Sequence, residues 1–197
     1  MLENPSKPGH FKFKSVVYAA PGLDYSSNSI WEDYQLFDNP TQDFFTRRID
    51  LSGIAKFRKD FSWPFQETSV PINGIMRMPI GQGPFQLVII AHGHHSRDKN
   101  STPGYVYLSE LLSSHGIIAA TIDVNFLNGV PPEDKENTED INDKAISHAR
   151  AIIHLEHIRQ FQIWNDQAGH PLENQVDMSN IMIVGHSVGG EAVGHAS

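Results

Sequence analysis

Cysteine is absent from the 197 residues. That excludes disulfides, thiolate metal sites and a cysteine nucleophile, and it leaves the compartment open. Positive charge is also in short supply: 15 Lys and Arg stand against 23 Asp and Glu, a formal net charge of −8. A chain of this sign is expected to avoid nucleic acid and anionic membrane surfaces, which attract a basic face. Long apolar runs are missing too, and none approaches the ~18 residues of a membrane span. The N-terminal Met-Leu-Glu-Asn-Pro-Ser-Lys-Pro has no apolar h-region, so a secretory signal is not expected there. A soluble protein of unassigned localisation follows, cytoplasmic by default and secreted if a leader has been removed. An apolar content of 39% with 19% charged residues suits a globular chain with a core. The length suits one domain.

What is present is concentrated near the C-terminus, in Ile181-Met182-Ile183-Val184-Gly185-His186-Ser187-Val188-Gly189-Gly190-Glu191-Ala192. A β-branched run leads into G-x-S-x-G, and a small-residue segment able to open a helix follows. In a strand–turn–helix context this spacing marks a nucleophile elbow. The tight turn strains the serine backbone and needs neighbours without a Cβ. It lifts the Ser187 hydroxyl clear of the sheet and aims the Val188 N–H at the place where an oxyanion forms. The competing explanation is an ordinary glycine-rich connection, so the upstream chain decides between them.

Residues 1–10 read as a polar arm and Phe11–Tyr18 as an edge strand. Ala20–Pro40, rich in Pro, Gly, Ser, Asn and Asp, reads as a loop held by Trp31, Tyr34 and Phe37. Phe44–Ile54 and Thr68–Met78 are strand candidates, the second broken at Asn73-Gly74, and Pro79–Pro84 is a turn. Phe85–Ala91 is continuously apolar, as in a strand buried on both faces, and it ends in His92-Gly93-His94-His95-Ser96. Thr102-Pro103 starts a helix with Tyr105, Leu108, Leu111 and Leu112 on its apolar face, capped by Gly116. Ile117–Val124 is the next buried strand. Asn128–Asp140 is an acidic, solvated loop. A long helix runs from Ile141 to about Trp164, with Ile141, Ala145, Ala149, Ile152 and Leu155 inward, and Gly169-His170-Pro171 ends it. The alternation predicts an α/β fold with a mostly parallel sheet and helices on both faces. Residues 1–67 form an N-terminal arm with edge strands and loop, and 68–197 form the α/β part of one domain.

In that order of motifs the chain resembles the α/β-hydrolase superfamily from about Thr68 to Ser197. The phrases AHGHHS, VNFLNG and GHSVGGEA are similar to a bacterial esterase-like group that includes dienelactone hydrolases, platelet-activating-factor acetylhydrolases and polyester hydrolases. PGYVYLSELLSSHG, LEHIRQFQIWN and VDMSNIMIVGHS resemble the same group. The resemblance implies Ser187 as nucleophile and the backbone N–H groups of His94 and Val188 as the oxyanion hole. It implies a small-molecule or polymeric carboxylic ester as substrate and no cofactor. It also implies an Asp or Glu and then a His after the nucleophile. Only ten residues follow Ser187, and His195 comes too early to be the base. The expectation is therefore an α/β-hydrolase fold truncated after the elbow, completed by a C-terminal segment or a partner chain. The alternative is a non-catalytic or split module that binds a partner completing the sheet.

The histidines give no metal signature. His92, His94 and His95 miss the H-x-H-x-D-H pattern, and His154 and His157 lack the glutamate of H-E-x-x-H. His95, His186 and Phe126, with Asn128, are candidates for lining a substrate cleft beyond the strand ends. Asp123 suits loop capping better than acid catalysis. Glu191 suits the helix N-terminus. Trp31, Trp63 and Trp164 are packing residues.

Overall fold

A computed structural model describes residues 4–26, 29–54, 65–95, 99–128 and 141–197. Its strands are β1 (Phe13–Tyr18), β2 (Arg48–Ile49), β3 (Val70–Pro71), β4 (Gly74–Pro79), β5 (Phe85–Ala91), β6 (Ile117–Ile122) and β7 (Val176–Gly185). The helices are α1 (Val106–Ser114), α2 (Ile141–Asp166) and α3 (Val188–Ala196). Five strands form one mixed sheet in the order β1-β4-β6-β5-β7, and β2 and β3 form a small antiparallel pair. β5 pairs in parallel with β6 and β7, whereas β4 runs antiparallel to both β1 and β6. Only β4 is reversed, so four of the five strands point the same way. Among the described residues no helix is long and apolar enough to cross a membrane.

Every residue of β5 except Gln86 is buried. Since successive side chains point to opposite faces, β5 must be covered on both sides. The cover comes from different helices. Tyr18, opposite Gly74 in the sheet, meets His157 of α2 through a 2.9 Å Oη···Nδ1 hydrogen bond. Arg77, three residues beyond Gly74 and on the other face, donates to Ser109 Oγ of α1 at 3.0 Å. α3 packs beside α2. The main core lies on the α2 side, where Tyr18 meets Phe161 and Trp164 edge-on. Burial of such rings supplies about 25 cal/mol per Å² of apolar surface removed from water.

The inward faces of α1 and α2 match those the sequence predicts only in part: on α2, Ala149 is buried and Ile152 packs against the core, as expected. On α1 the buried residues are Ser109, Ser113 and Ser114, and Leu108, Leu111 and Leu112 are only half-buried. The serines win because they let the helix approach β4 and bond to it: Ser113 Oγ donates within reach of the Arg77 carbonyl at 2.9 Å and of Ile117 O at 3.0 Å. On α2 the buried line is Ala149, Arg150, Ile153, His154, His157, Gln160, Phe161 and Trp164, whereas Leu155 is 46% exposed. Arg150, His154, His157 and Gln160 each make at least one hydrogen bond from that line, so hydrophobicity alone misplaces the face. The side chains of Ile141 and Ala145 lie outside the described set.

Other boundaries shift. The strand expected over 44–54 is a 3₁₀ turn at Gln42–Phe44 followed by the two-residue β2, and 20–40 contains a 3₁₀ helix at Ser29–Phe37. The candidate at 68–78 divides at Ile72-Asn73 into β3 and β4. Thr102–Tyr105 is a 3₁₀ turn that leads into α1, and Gly116 accepts the left-handed backbone (φ 84°) that stops it. Tyr34 and Phe37 are buried as packing residues, as is Trp164. Trp63 and the acidic stretch 129–140 lie outside the described residues.

Candidate functional site

The turn after β7 has the strain that its spacing predicts. Ser187 sits at φ 55° and ψ −126° as the N-cap of α3, a backbone region that glycine tolerates and a residue with a Cβ resists. Its neighbours are forced to be glycine by close approach. A Cβ on Gly185 would stand 2.0 Å from the Gly189 carbonyl oxygen, and one on Gly189 would stand 2.7 Å from that of His92. The Gly190 N–H closes the turn on the Ser187 carbonyl at 2.8 Å. Val188 is the first helical residue, so its N–H has no acceptor one turn back within α3. Ser187 and His186 are exposed.

Because β5 and β7 are adjacent and parallel, the two loops at their C-terminal ends lie side by side. The His186 N–H donates to the Ala91 carbonyl at 3.1 Å, which ties the turn to the end of β5. Gly93 then sits against the turn: a Cβ there would come within 2.8 Å of His186 Nδ1 and 3.0 Å of Ser187 Cβ. His94 and His95 follow on the exposed side of the loop. His95 and His186 line a cleft of about 480 Å³ together with Tyr105, Tyr107, Asn100 and Ser101. Burial raises the Tyr105 phenol above its ordinary range, so it remains a neutral hydroxyl at that wall.

His92 is structural and its tautomer is fixed. It is fully buried, its Nδ1 lies 2.8 Å from the Gly93 carbonyl, which only accepts, and its Nε2 accepts the Val124 N–H at 3.3 Å. The proton therefore rests on Nδ1. Burial pushes the pKa down to about 3, and the Gly93 carbonyl opposes that fall. The neutral ring pins the His-Gly loop to the end of β6, a task that the sequence alone did not signal.

Below the loop lies a buried polar network. Asp123 Oδ1 accepts the Asn125 N–H at 3.0 Å and the Tyr34 hydroxyl at 3.3 Å, which is the capping part expected for it. Burial pushes its carboxyl up to about 6, and the Asn125 N–H, the Tyr34 hydroxyl and the Arg150 charge pull it back. Asn125 Oδ1 receives Asn128 Nδ2 at 2.8 Å and Ser101 Oγ at 3.0 Å. Phe126 is buried edge-on against Phe65 at 5.3 Å between centroids, and Asn128 is fully buried. Neither reaches the cleft wall. Both belong to its foundation.

The structure thus brings together Ser187, the Val188 N–H, the Gly93–His94 segment, His95 and His186. No histidine or carboxylate bonds the Ser187 hydroxyl among the described residues. His195 lies on α3 with its ring 4.6 Å from that of His148 on α2, edge-on and exposed. Groups of three or more metal-ligating side chains do not occur among the described residues. The chain matches no known protein-family model and no curated protein sequence.

Proposed function

We propose that this chain is the nucleophile-bearing part of an α/β-hydrolase-type serine esterase. Ser187 attacks the acyl carbonyl of a carboxylic ester, the N–H groups of Val188 and His94 hold the resulting oxyanion, the alcohol leaves, and water frees the acyl group. The observation that carries the reading is the strained Ser187 backbone between glycines that admit no Cβ, set against the Gly93 loop of the neighbouring parallel strand. Strain of about 1–3 kcal/mol at a single exposed serine is a feature of functional turns. Two aligned N–H donors would each contribute on the order of 3–4 kcal/mol to transition-state stabilisation. The cleft beside the turn, walled by imidazoles, phenols and small polar groups, suits an uncharged ester.

Hydrolysis of a short p-nitrophenyl ester and covalent labelling by a fluorophosphonate test the reading. Both should vanish in Ser187→Ala. In the full-length protein, hydrolysis by Ser187→Ala as fast as that by an active wild type would sink it.

A second reading has its own observation. Among the described residues β7 pairs with β5 on one side only, and its Met182 is 60% exposed. An edge of this kind suits a module whose sheet is continued by another segment or chain. Labelling of Ser187 only after a second polypeptide is added favours that reading, and strong labelling of the chain alone argues against it.

A further inference from the structure

The largest of the fully buried side chains among the described residues belongs to a cation. Arg150, on α2, has no exposed surface. It donates Nη1 to the His92 carbonyl at 3.2 Å and Nη2 to Asn128 Oδ1. Burial pulls its pKa down to about 10, and the carboxyl of Asp123 opposes the fall. Burying a charge of this kind costs several kcal/mol, and an apolar side chain of similar volume often does as well or better for stability. Folding alone is therefore a poor reason for this residue.

Its two acceptors offer a better one. The His92 carbonyl belongs to the peptide that carries the Gly93 N–H. The next carbonyl, that of Gly93, is held by His92 Nδ1–H at 2.8 Å. A trans peptide is planar, so fixing a carbonyl fixes the N–H on its far side. With both carbonyls held, the N–H directions of Gly93 and His94 are both set. Asn128, the other acceptor, belongs to the loop after β6, whose Val124 N–H holds the far side of the His92 ring. One planar fork therefore joins the loops after β5 and β6, a geometry that a lysine ammonium cannot copy.

We propose that Arg150 is a positioning residue for the oxyanion hole: from below the loop it fixes the His92–Gly93 peptide and so the frame from which the His92 ring holds the Gly93 carbonyl and sets the His94 N–H. The inference rests on the reading of Ser187 as nucleophile.

The test combines backbone 15N relaxation with fluorophosphonate labelling on the full chain: wild type, Arg150→Lys, Arg150→Met, and Arg150→Met combined with Asp123→Asn. The double variant removes both buried charges and keeps the test open if Arg150→Met alone does not fold. Wild-type order parameters at Gly93 and His94 should be near ~0.85 and should fall below ~0.6 in the double variant, with β4 unchanged. Arg150→Lys should fall between, and the His92 Nδ1–H resonance should broaden in step. The Ser187 labelling rate should fall about tenfold or more in the double variant. Unchanged order at Gly93 and His94 in the double variant overturns the proposal, whatever the labelling shows. An unlabelled Ser187 in wild type, with a loop that still loosens in the double variant, overturns an active oxyanion hole in this chain and reduces Arg150 to a loop anchor.

Discussion

Ser187 pays a conformational penalty that its side chain alone explains, and the penalty can be measured. At φ 55° and ψ −126° a glycine would be relaxed, whereas alanine retains the Cβ that causes the strain. Ser187→Gly should therefore be more stable than Ser187→Ala by about 0.5–2 kcal/mol, the ~1–3 kcal/mol of strain less the ~0.4–1 kcal/mol by which glycine loosens the unfolded chain. Both variants lack the hydroxyl, so urea denaturation of the pair isolates the backbone. An alanine variant more stable than the glycine variant by the ~0.4–1 kcal/mol expected at a relaxed site would show that the turn is not strained. This residue was legible in the sequence because glycine spacing reports directly on backbone sterics. His92 and Arg150 were not legible. Their parts depend on a carbonyl and an amide brought together across three elements, Arg150 with His92 and Asn128, and His92 with Val124. No spacing along the chain encodes such a meeting.

At the scale of elements, α2 separates what periodicity can tell from what it cannot. Its existence and approximate ends follow from the sequence, since Gly169 and Pro171 stop any helix that begins near Ile141. Its inward face follows only in part, through Ala149 and the half-buried Ile152. Arg150, His154, His157 and Gln160 occupy the buried line, and a hydrophobicity count assigns such residues to solvent. The two assignments differ in a pair of residues. Phe161→Ala, with the ring fully buried against Tyr18 and Trp164, should destabilise by about 3–5 kcal/mol. Leu155→Ala, at 46% exposure, should cost less than about 1 kcal/mol. Thermal or urea unfolding of the two variants decides the register, and a Leu155 effect as large as that of Phe161 would refute it. β5 is the opposite case. Its run is apolar throughout, so strand and burial were readable together, and its observed bounds are those its composition predicts. The His-Gly loop inherits that legibility because it directly follows this buried strand.

Across the whole molecule, buried titratable groups set a pH dependence whose sign can be worked out. His92, His154 and His157 all have pKa values lowered chiefly by burial, that of His92 to about 3. Below the ordinary histidine value of about 6.5 the unfolded chain binds these protons and the native protein does not, so stability falls as the pH falls from there. Asp123 acts in the opposite sense. Its native pKa is pushed up to about 6, so between about 4 and 6 the native state holds a proton that the unfolded state has released. In the shared window, from about pH 6 down to about 5, three histidines favour the unfolded chain on acidification and one carboxyl favours the native protein. The histidines win. The midpoint of unfolding should therefore drop when the pH is lowered from 7 to 5. Asp123→Asn removes the opposing proton and should steepen the slope by up to about one proton, even though the loss of the carboxyl also shifts the midpoint at every pH. Urea unfolding of both proteins across this range checks both statements. A shallower slope in Asp123→Asn would mean that Asp123 is ionised in the native protein, a full partner to the Arg150 charge beneath the loop.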